Sequence, residues 1–90
     1  MNNIEWKNTT IQHGYESYQT NIYWRVEIWK SNKHDCWKWS IYGDNLGPKN
    51  CINLETMDLE LAKEKAIEIT KERLQLLVDM FQQHIDRLND

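Results

Sequence analysis

The amino-acid sequence predicts an α+β fold, in which an antiparallel sheet of three or four strands packs against one long C-terminal helix. All five Trp and all four Tyr precede residue 57, and apolar and polar residues alternate there with the period of two that is typical of half-buried strands. From Asp58 onward the chain has no Gly or Pro and is rich in residues that favour a helix. Ninety residues suffice for one domain, so we expect a single unit over 1–90, with the sheet at 1–57 and the helix at 58–89.

The clearest strand pattern predicts a hairpin in the middle of the sheet region. Apolar residues alternate with polar ones over 22–30, and the stretch 36–43 repeats this pattern. The five residues at 31–35 are polar and turn-prone. We therefore expect two antiparallel strands joined by a longer loop.

Weaker patterns predict the rest of the sheet. Alternating aromatic positions at 4–6 and 14–20 indicate one or two strands before the hairpin. After the hairpin, the Gly-Pro and Asx content of 44–50 indicates a loop, and 51–54 can form a short extended piece.

The predicted helix is longer than the sheet that it covers. Asp58 is its expected N-cap, because the carboxylate can accept hydrogen bonds from the free backbone N–H groups of the first turn. An unbroken helix from there to Leu88 is about 46 Å long, whereas a strand of about eight residues spans only about 26 Å. The second half of the helix should therefore extend beyond its own sheet.

The apolar side chains of the helix become larger along its length. Leu59, Ala62, Ala66 and Ile69 follow the spacing of one helix face, and the alanines allow close approach to a Trp-lined sheet. Six larger residues continue this spacing with a rotated phase, and we expect them to form a homodimer interface in the distal half, 74–88: Leu74, Leu77, Val78, Phe81, Ile85 and Leu88. Two other arrangements would also cover them, namely a break near 71–73 that folds the helix back, or a different partner protein.

A row of carboxylates follows the same helix at a spacing of four residues: Glu60, Glu64, Glu68 and Glu72. Residues 1–57 hold six basic and six acidic side chains, and 58–90 hold five and eight, so the net charge of −3 lies entirely on the helical part. One interpretation is a solvated face of mixed charge, because four basic residues flank the row. The other is a surface that mimics phosphates and binds the basic groove of a nucleic-acid-binding protein.

The sheet face opposite the helix carries a second candidate binding surface. We expect it at Tyr23, Arg25 and Trp29 of one strand and at Tyr42 of the next. Aromatic residues mixed with Arg are enriched in interface hot spots, and aromatics on a sheet also stack on single-stranded bases. A second layer, formed by the segment around Trp6 or by a partner's helix, would instead cover these residues.

No set of side chains in the sequence predicts catalysis, a metal site or a cofactor. His34, Asp35 and Cys36 are consecutive, so their side chains point in different directions and cannot form a relay. The His and Cys residues also lack the paired spacings of zinc ligands. We therefore expect a protein that is not an enzyme and needs no cofactor.

Charge and hydropathy limit the partners and the compartment. A net charge of −3 disfavours direct binding of nucleic acid. The longest apolar run is 76–78, so we expect no membrane span, and the N-terminus lacks the pattern of a signal peptide. We expect a cytoplasmic protein in which Cys36 and Cys51 are free thiols.

The aromatic hairpin at 23–29 and 37–42, followed by the helix start at 58–62, resembles an arrangement found in small proteins of phages and mobile elements, among them some anti-CRISPR proteins. The resemblance implies a stoichiometric inhibitor that binds a host defence complex through its surface. We therefore expect a protein-binding module, of the kind that inhibits a nucleic-acid-guided or nucleic-acid-binding host complex. The alternative is a domain that binds a small ligand or single-stranded nucleic acid through the aromatic sheet face.

Overall fold

The structure, a computed structural model, describes residues 4–42 and 51–89. It confirms the α+β fold: an antiparallel sheet packs against one long C-terminal helix. The sheet has five strands in the order β1-β2-β3-β4-β5, so each strand pairs with its neighbour along the chain. The elements are β1 (Lys7–Asn8), α1 (Thr10–His13), β2 (Glu16–Ile22), β3 (Trp24–Lys30), β4 (Lys38–Tyr42), β5 (Cys51–Asn53) and α2 (Leu59–Leu88).

The predicted hairpin is confirmed as β3 and β4, with Ile28 opposite Trp39. Its first strand begins later than the pattern suggested. Ile22 ends β2, and Tyr23 turns the chain with a φ of 65°, so that Ile22 pairs with Trp24. Ile22 and Trp24 are cross-strand partners, so their side chains lie on the same face of the sheet, as those of residues two apart in a single strand do. The alternation of the sequence therefore shows no break at the turn.

The N-terminal part contains the other differences from the sequence prediction. The stretch 14–20 lies largely in β2, as predicted, but the strand expected at 4–6 lies at Lys7–Asn8 instead. Residues Thr10–His13 form a helical turn that the pattern did not predict. With β5 at the extended piece expected after the hairpin, the sheet has five strands rather than three or four. The loop expected at 44–50 lies outside the described residues.

The core lies between the sheet and the first half of α2. Three residues of β3 and two of β4 are buried there together with Trp37 and Leu54. From the helix, Ala62 and Ala66 are fully buried, since small side chains allow the helix backbone to approach the Trp side chains closely. The indole Nε1 of Trp39 donates a hydrogen bond of 3.2 Å to Thr70 Oγ1, which attaches the sheet to the helix inside this core.

Helix α2 is continuous over 30 residues. Asp58 is its N-cap, as predicted: its Oδ1 accepts a hydrogen bond of 3.2 Å from the backbone N–H of Glu60. The helix does not break at 71–73, so it does not fold back on itself. All described residues after Leu77 are exposed, so the helix leaves the sheet there. We call 59–77 the proximal segment and 78–88 the distal segment.

Within 4–42 and 51–89, none of the helices combines the length and the apolar character that a bilayer crossing requires.

Candidate functional site

The distal segment presents an apolar stripe to solvent. Val78, Phe81, Ile85 and Leu88 are 56%, 59%, 49% and 85% exposed. The other two residues predicted for this stripe, Leu74 and Leu77, are half-buried and pack against the chain's own core. The surface available to a partner therefore begins at Val78, four residues later than predicted.

The four carboxylates of the acidic row are all exposed. Each residue advances by about 100° around a helix, which places the row on the side away from the buried Ala62, Ala66 and Thr70. Two members form ion pairs with lysines three residues later: Glu60 with Lys63 at 3.4 Å and Glu68 with Lys71 at 3.8 Å. The structure brings all four predicted residues onto one accessible face.

An open groove of about 600 Å³ lies between the end of β5 and the proximal segment of α2. We call it the β5–α2 groove. Its apolar lining includes Leu54, Leu61 and Ile69, and its acidic lining is Glu55, Glu64 and Glu68. Two residues of the acidic row thus border an apolar depression, whereas Glu60 and Glu72 do not line it. Sequence reasoning missed this groove, because β5 and α2 meet only in the folded chain.

The outer sheet face uses its aromatic rings in contacts within the chain. The guanidinium of Arg25 lies 4.1 Å from the ring centre of Tyr42, and the Lys38 ammonium lies 5.4 Å from that of Trp29. The indole N–H of Trp29 donates to Ser40 Oγ at 3.0 Å. Tyr23 does not belong to this face: it lies at the β2–β3 turn, where it is 78% exposed. The structure therefore brings together only three of the four predicted residues.

A buried carboxylate lies at the centre of the outer face. Glu27 is only 2% exposed, and its Oε2 lies 3.1 Å from His13 Nε2, while Tyr42 Oη donates to Oε1 at 3.4 Å. Burial and the charge of Glu27 raise the pKa of Tyr15, whose ring stacks on His13. The same two causes, burial first, raise the pKa of Tyr42. These contacts make Glu27 a structural anchor for α1.

Within the described residues, α1 and Tyr15 contact part of this outer face, whereas Arg25 and Tyr42 stay exposed. The segment around Trp6 does not supply the covering layer that the sequence allowed for. Trp6 packs against the core on the helix side of the sheet. The segment before α1 is attached by Thr9, whose Oγ1 lies 2.6 Å from Ser17 Oγ in a buried contact. The signal for α1 was local: Asn8 Oδ1 accepts from the Thr10 N–H, and Gly14 ends the turn with a φ of 76°.

Comparison with protein-family models, curated proteins and solved structures finds no match to this chain. Among the residues that the structure describes, no three His, Cys, Asp or Glu side chains converge in a way that could hold a metal ion. Cys36 and Cys51 are free thiols.

Proposed function

We propose that this protein is a non-enzymatic protein-binding module whose binding element is helix α2. The observation that carries the proposal is the distal segment. It contributes no residue to the core of the described chain, and it exposes four large apolar side chains on one side. Exposed apolar surface of this kind is typical of interaction sites.

A second copy of the chain is the partner that we propose for the apolar stripe. The stripe residues repeat at spacings of three and four, which suits packing between two helices. Its flanks carry Gln82 and His84, while Asp79, Asp86 and Arg87 lie more than 90° away around the helix. Two copies can therefore approach through this side without bringing like charges together.

The acidic row is the surface that we propose for a different protein. Four exposed carboxylates on one face complement a basic groove, and such complementarity accelerates association and selects partners. In its most specific form, the proposal is an inhibitor of the phage type, anti-CRISPR-like, that occupies the nucleic-acid-binding surface of a host defence complex. The resemblance of the aromatic hairpin and helix start to such proteins supports this form.

The mass of the protein in solution tests the self-association. Light scattering during size-exclusion chromatography should give about twice the 10.9 kDa chain mass for the wild type. Phe81→Asp should give the monomer mass, because it places a charge in the apolar seam. Gln83→Asp adds the same charge on the opposite side of the helix and should leave the assembly unchanged. A wild-type monomer, or a Phe81→Asp dimer, would contradict this placement.

Affinity capture from a nuclease-treated host lysate tests the acidic row. Replacing all four glutamates of the row by Gln removes their charge with little change in shape, and we expect the captured partner to be lost. Glu5→Gln together with Glu16→Gln removes exposed carboxylates elsewhere and should leave capture intact. Equal capture by all three proteins would remove the acidic row from the proposal.

A further inference from the structure

The β5–α2 groove combines an apolar floor with an acidic rim. Leu61 on the helix is 39% exposed there, and Leu54 and Ile69 line the same depression. Three carboxylates border it, from Glu55, Glu64 and Glu68. The groove therefore suits a ligand that is both apolar and positively charged.

The cation that lines the groove offsets only part of this charge. Lys65 Nζ donates a hydrogen bond of 2.9 Å to the backbone oxygen of Leu54, so its ammonium is directed at the chain's own backbone. Glu64 has no ion-pair partner among the described residues, and Glu68 shares one exposed contact with Lys71. Of the side chains that line the groove, three carry a negative charge and one carries a positive charge.

The backbone of β5, beside the groove, can form hydrogen bonds with another chain. β5 is an edge strand, since it pairs with β4 on one side and with no other described strand. Edge strands can pair with an extended segment of another chain, and the alternating side chains of that segment then reach the adjacent surface. An extended occupant beside β5 would direct every second side chain toward α2.

We propose that the β5–α2 groove binds an extended segment of a partner protein. Every second residue of this segment faces α2, and large apolar side chains and Lys or Arg take turns at these facing positions. The apolar side chains lie against Leu54, Leu61 and Ile69, and the cations pair with Glu64 and Glu68. This inference rests on the proposed function, because it specifies which part of the acidic face contacts the partner and what chemistry the partner must offer.

The probe is a synthetic peptide that repeats leucine–serine–lysine–serine, so that leucine and lysine take turns on one face of the extended chain; we call it the lysine–leucine peptide. The anisotropy of an attached fluorophore reports its binding at about 0.15 M salt. We expect saturable binding to the wild type. A lysine–serine peptide of the same length and charge should bind at least about tenfold more weakly, because it lacks the apolar side chains. Leu61→Ser, which leaves the charge unchanged, should weaken binding of the lysine–leucine peptide by about threefold or more.

Two double variants of the acidic row provide the matched comparison. Glu64→Lys with Glu68→Lys reverses the two charges in the groove and should weaken binding by about tenfold. Glu60→Lys with Glu72→Lys reverses two charges of the same row outside the groove and should weaken it by less than about threefold. Each double variant also removes one ion pair with a lysine three residues later. Circular dichroism of both variants verifies that α2 is intact.

The possible outcomes separate this inference from the proposed function. If the two double variants weakened binding equally, the claim that the peptide binds in the β5–α2 groove would be wrong. The proposal that a partner binds along the whole acidic row would be unaffected. Equal binding of the two peptides would overturn the apolar part of the site. Absence of saturable binding by the lysine–leucine peptide would overturn the inference altogether, and partner capture would then test the proposed function independently.

Discussion

The two segments of helix α2 use apolar side chains in opposite ways. In the proximal segment, the residues that face the sheet most closely are small, and Ala62 and Ala66 have no exposed surface. In the distal segment the residues are large, and Phe81 is 59% exposed. One continuous helix therefore buries its smallest side chains and exposes its largest.

This difference shows that position along the helix, and not hydrophobicity, decides what is buried. The proximal segment lies over a sheet whose buried Trp side chains are the largest in the core. Small residues there let the helix backbone approach closely. The distal segment has no sheet below it, so its large side chains stabilise nothing within the described chain. Variants of the core beneath the proximal segment test this difference most strongly.

Trp39→Ala should cause the largest loss of stability. The side chain is fully buried beneath the helix, and its removal also leaves Thr70 without the indole donor. We expect a loss of about 3–5 kcal/mol in the free energy of unfolding, measured by urea denaturation. Phe81→Ala also removes a large aromatic side chain, but at low protein concentration it should change the stability of the monomer by less than about 0.5 kcal/mol. Similar losses for the two variants would show that the distal segment is also part of the core.

Ala66→Leu tests whether the close approach of the helix is necessary. Ala66 is fully buried in the core, so the added carbons of leucine must displace side chains that are packed between α2 and the sheet. We expect a loss of about 1–3 kcal/mol in the free energy of unfolding.

The control for Ala66→Leu is Gln83→Leu, which introduces the same side chain at an exposed position of the distal segment, on the side opposite the apolar stripe. It should shift the midpoint of urea unfolding little, by about 0.5 kcal/mol or less in free energy. If Ala66→Leu were as stable as wild type, the helix would have room to move outward, and the small residues would not explain its position.

The sequence predicts the regular parts of this fold because their patterns are local. Period-two alternation identifies β3 and β4, and the absence of helix breakers after Asp58 identifies α2 with its N-cap. The turn at Tyr23 escapes prediction because cross-strand partners preserve the alternation on both sides of it. The short helix α1 escapes because its signals are those of a turn and not of an alternation: Asn8 Oδ1 accepts from the Thr10 N–H, and Gly14 ends the turn.

The candidate site is predicted less completely than the fold. The acidic row and most of the apolar stripe follow from helical spacing alone, so both lie on exposed faces as expected. Leu74 and Leu77 contact the chain's own core, because the point at which the helix leaves the sheet depends on how the two pack. The β5–α2 groove needs two elements that are separate in the sequence, and no local pattern contains it.

The outer sheet face is an intermediate case, since among the described residues only a few around α1 cover it. The effect expected there is the smallest. The raised pKa values of Tyr15 and Tyr42 mean that the folded chain holds these protons more tightly than the unfolded chain, whose tyrosines titrate near 10.0. The contribution of these two tyrosines to the free energy of unfolding is therefore complete below pH 10.0. It should be lost as the pH rises above that value through the pKa values of the folded chain.

Glu27→Gln tests the cause of this alkaline effect. It removes the negative charge that lies near both tyrosines, so their pKa values should fall toward 10.0 but remain above it, because burial is the larger cause. Tyrosinate absorbance followed against pH measures the shift. Glu16→Gln, at an exposed position of β2, should leave the titration unchanged. Identical curves for the wild type and Glu27→Gln would mean that the Glu27 charge is screened from both rings, and that this face is open to solvent as fully as the distal segment of α2.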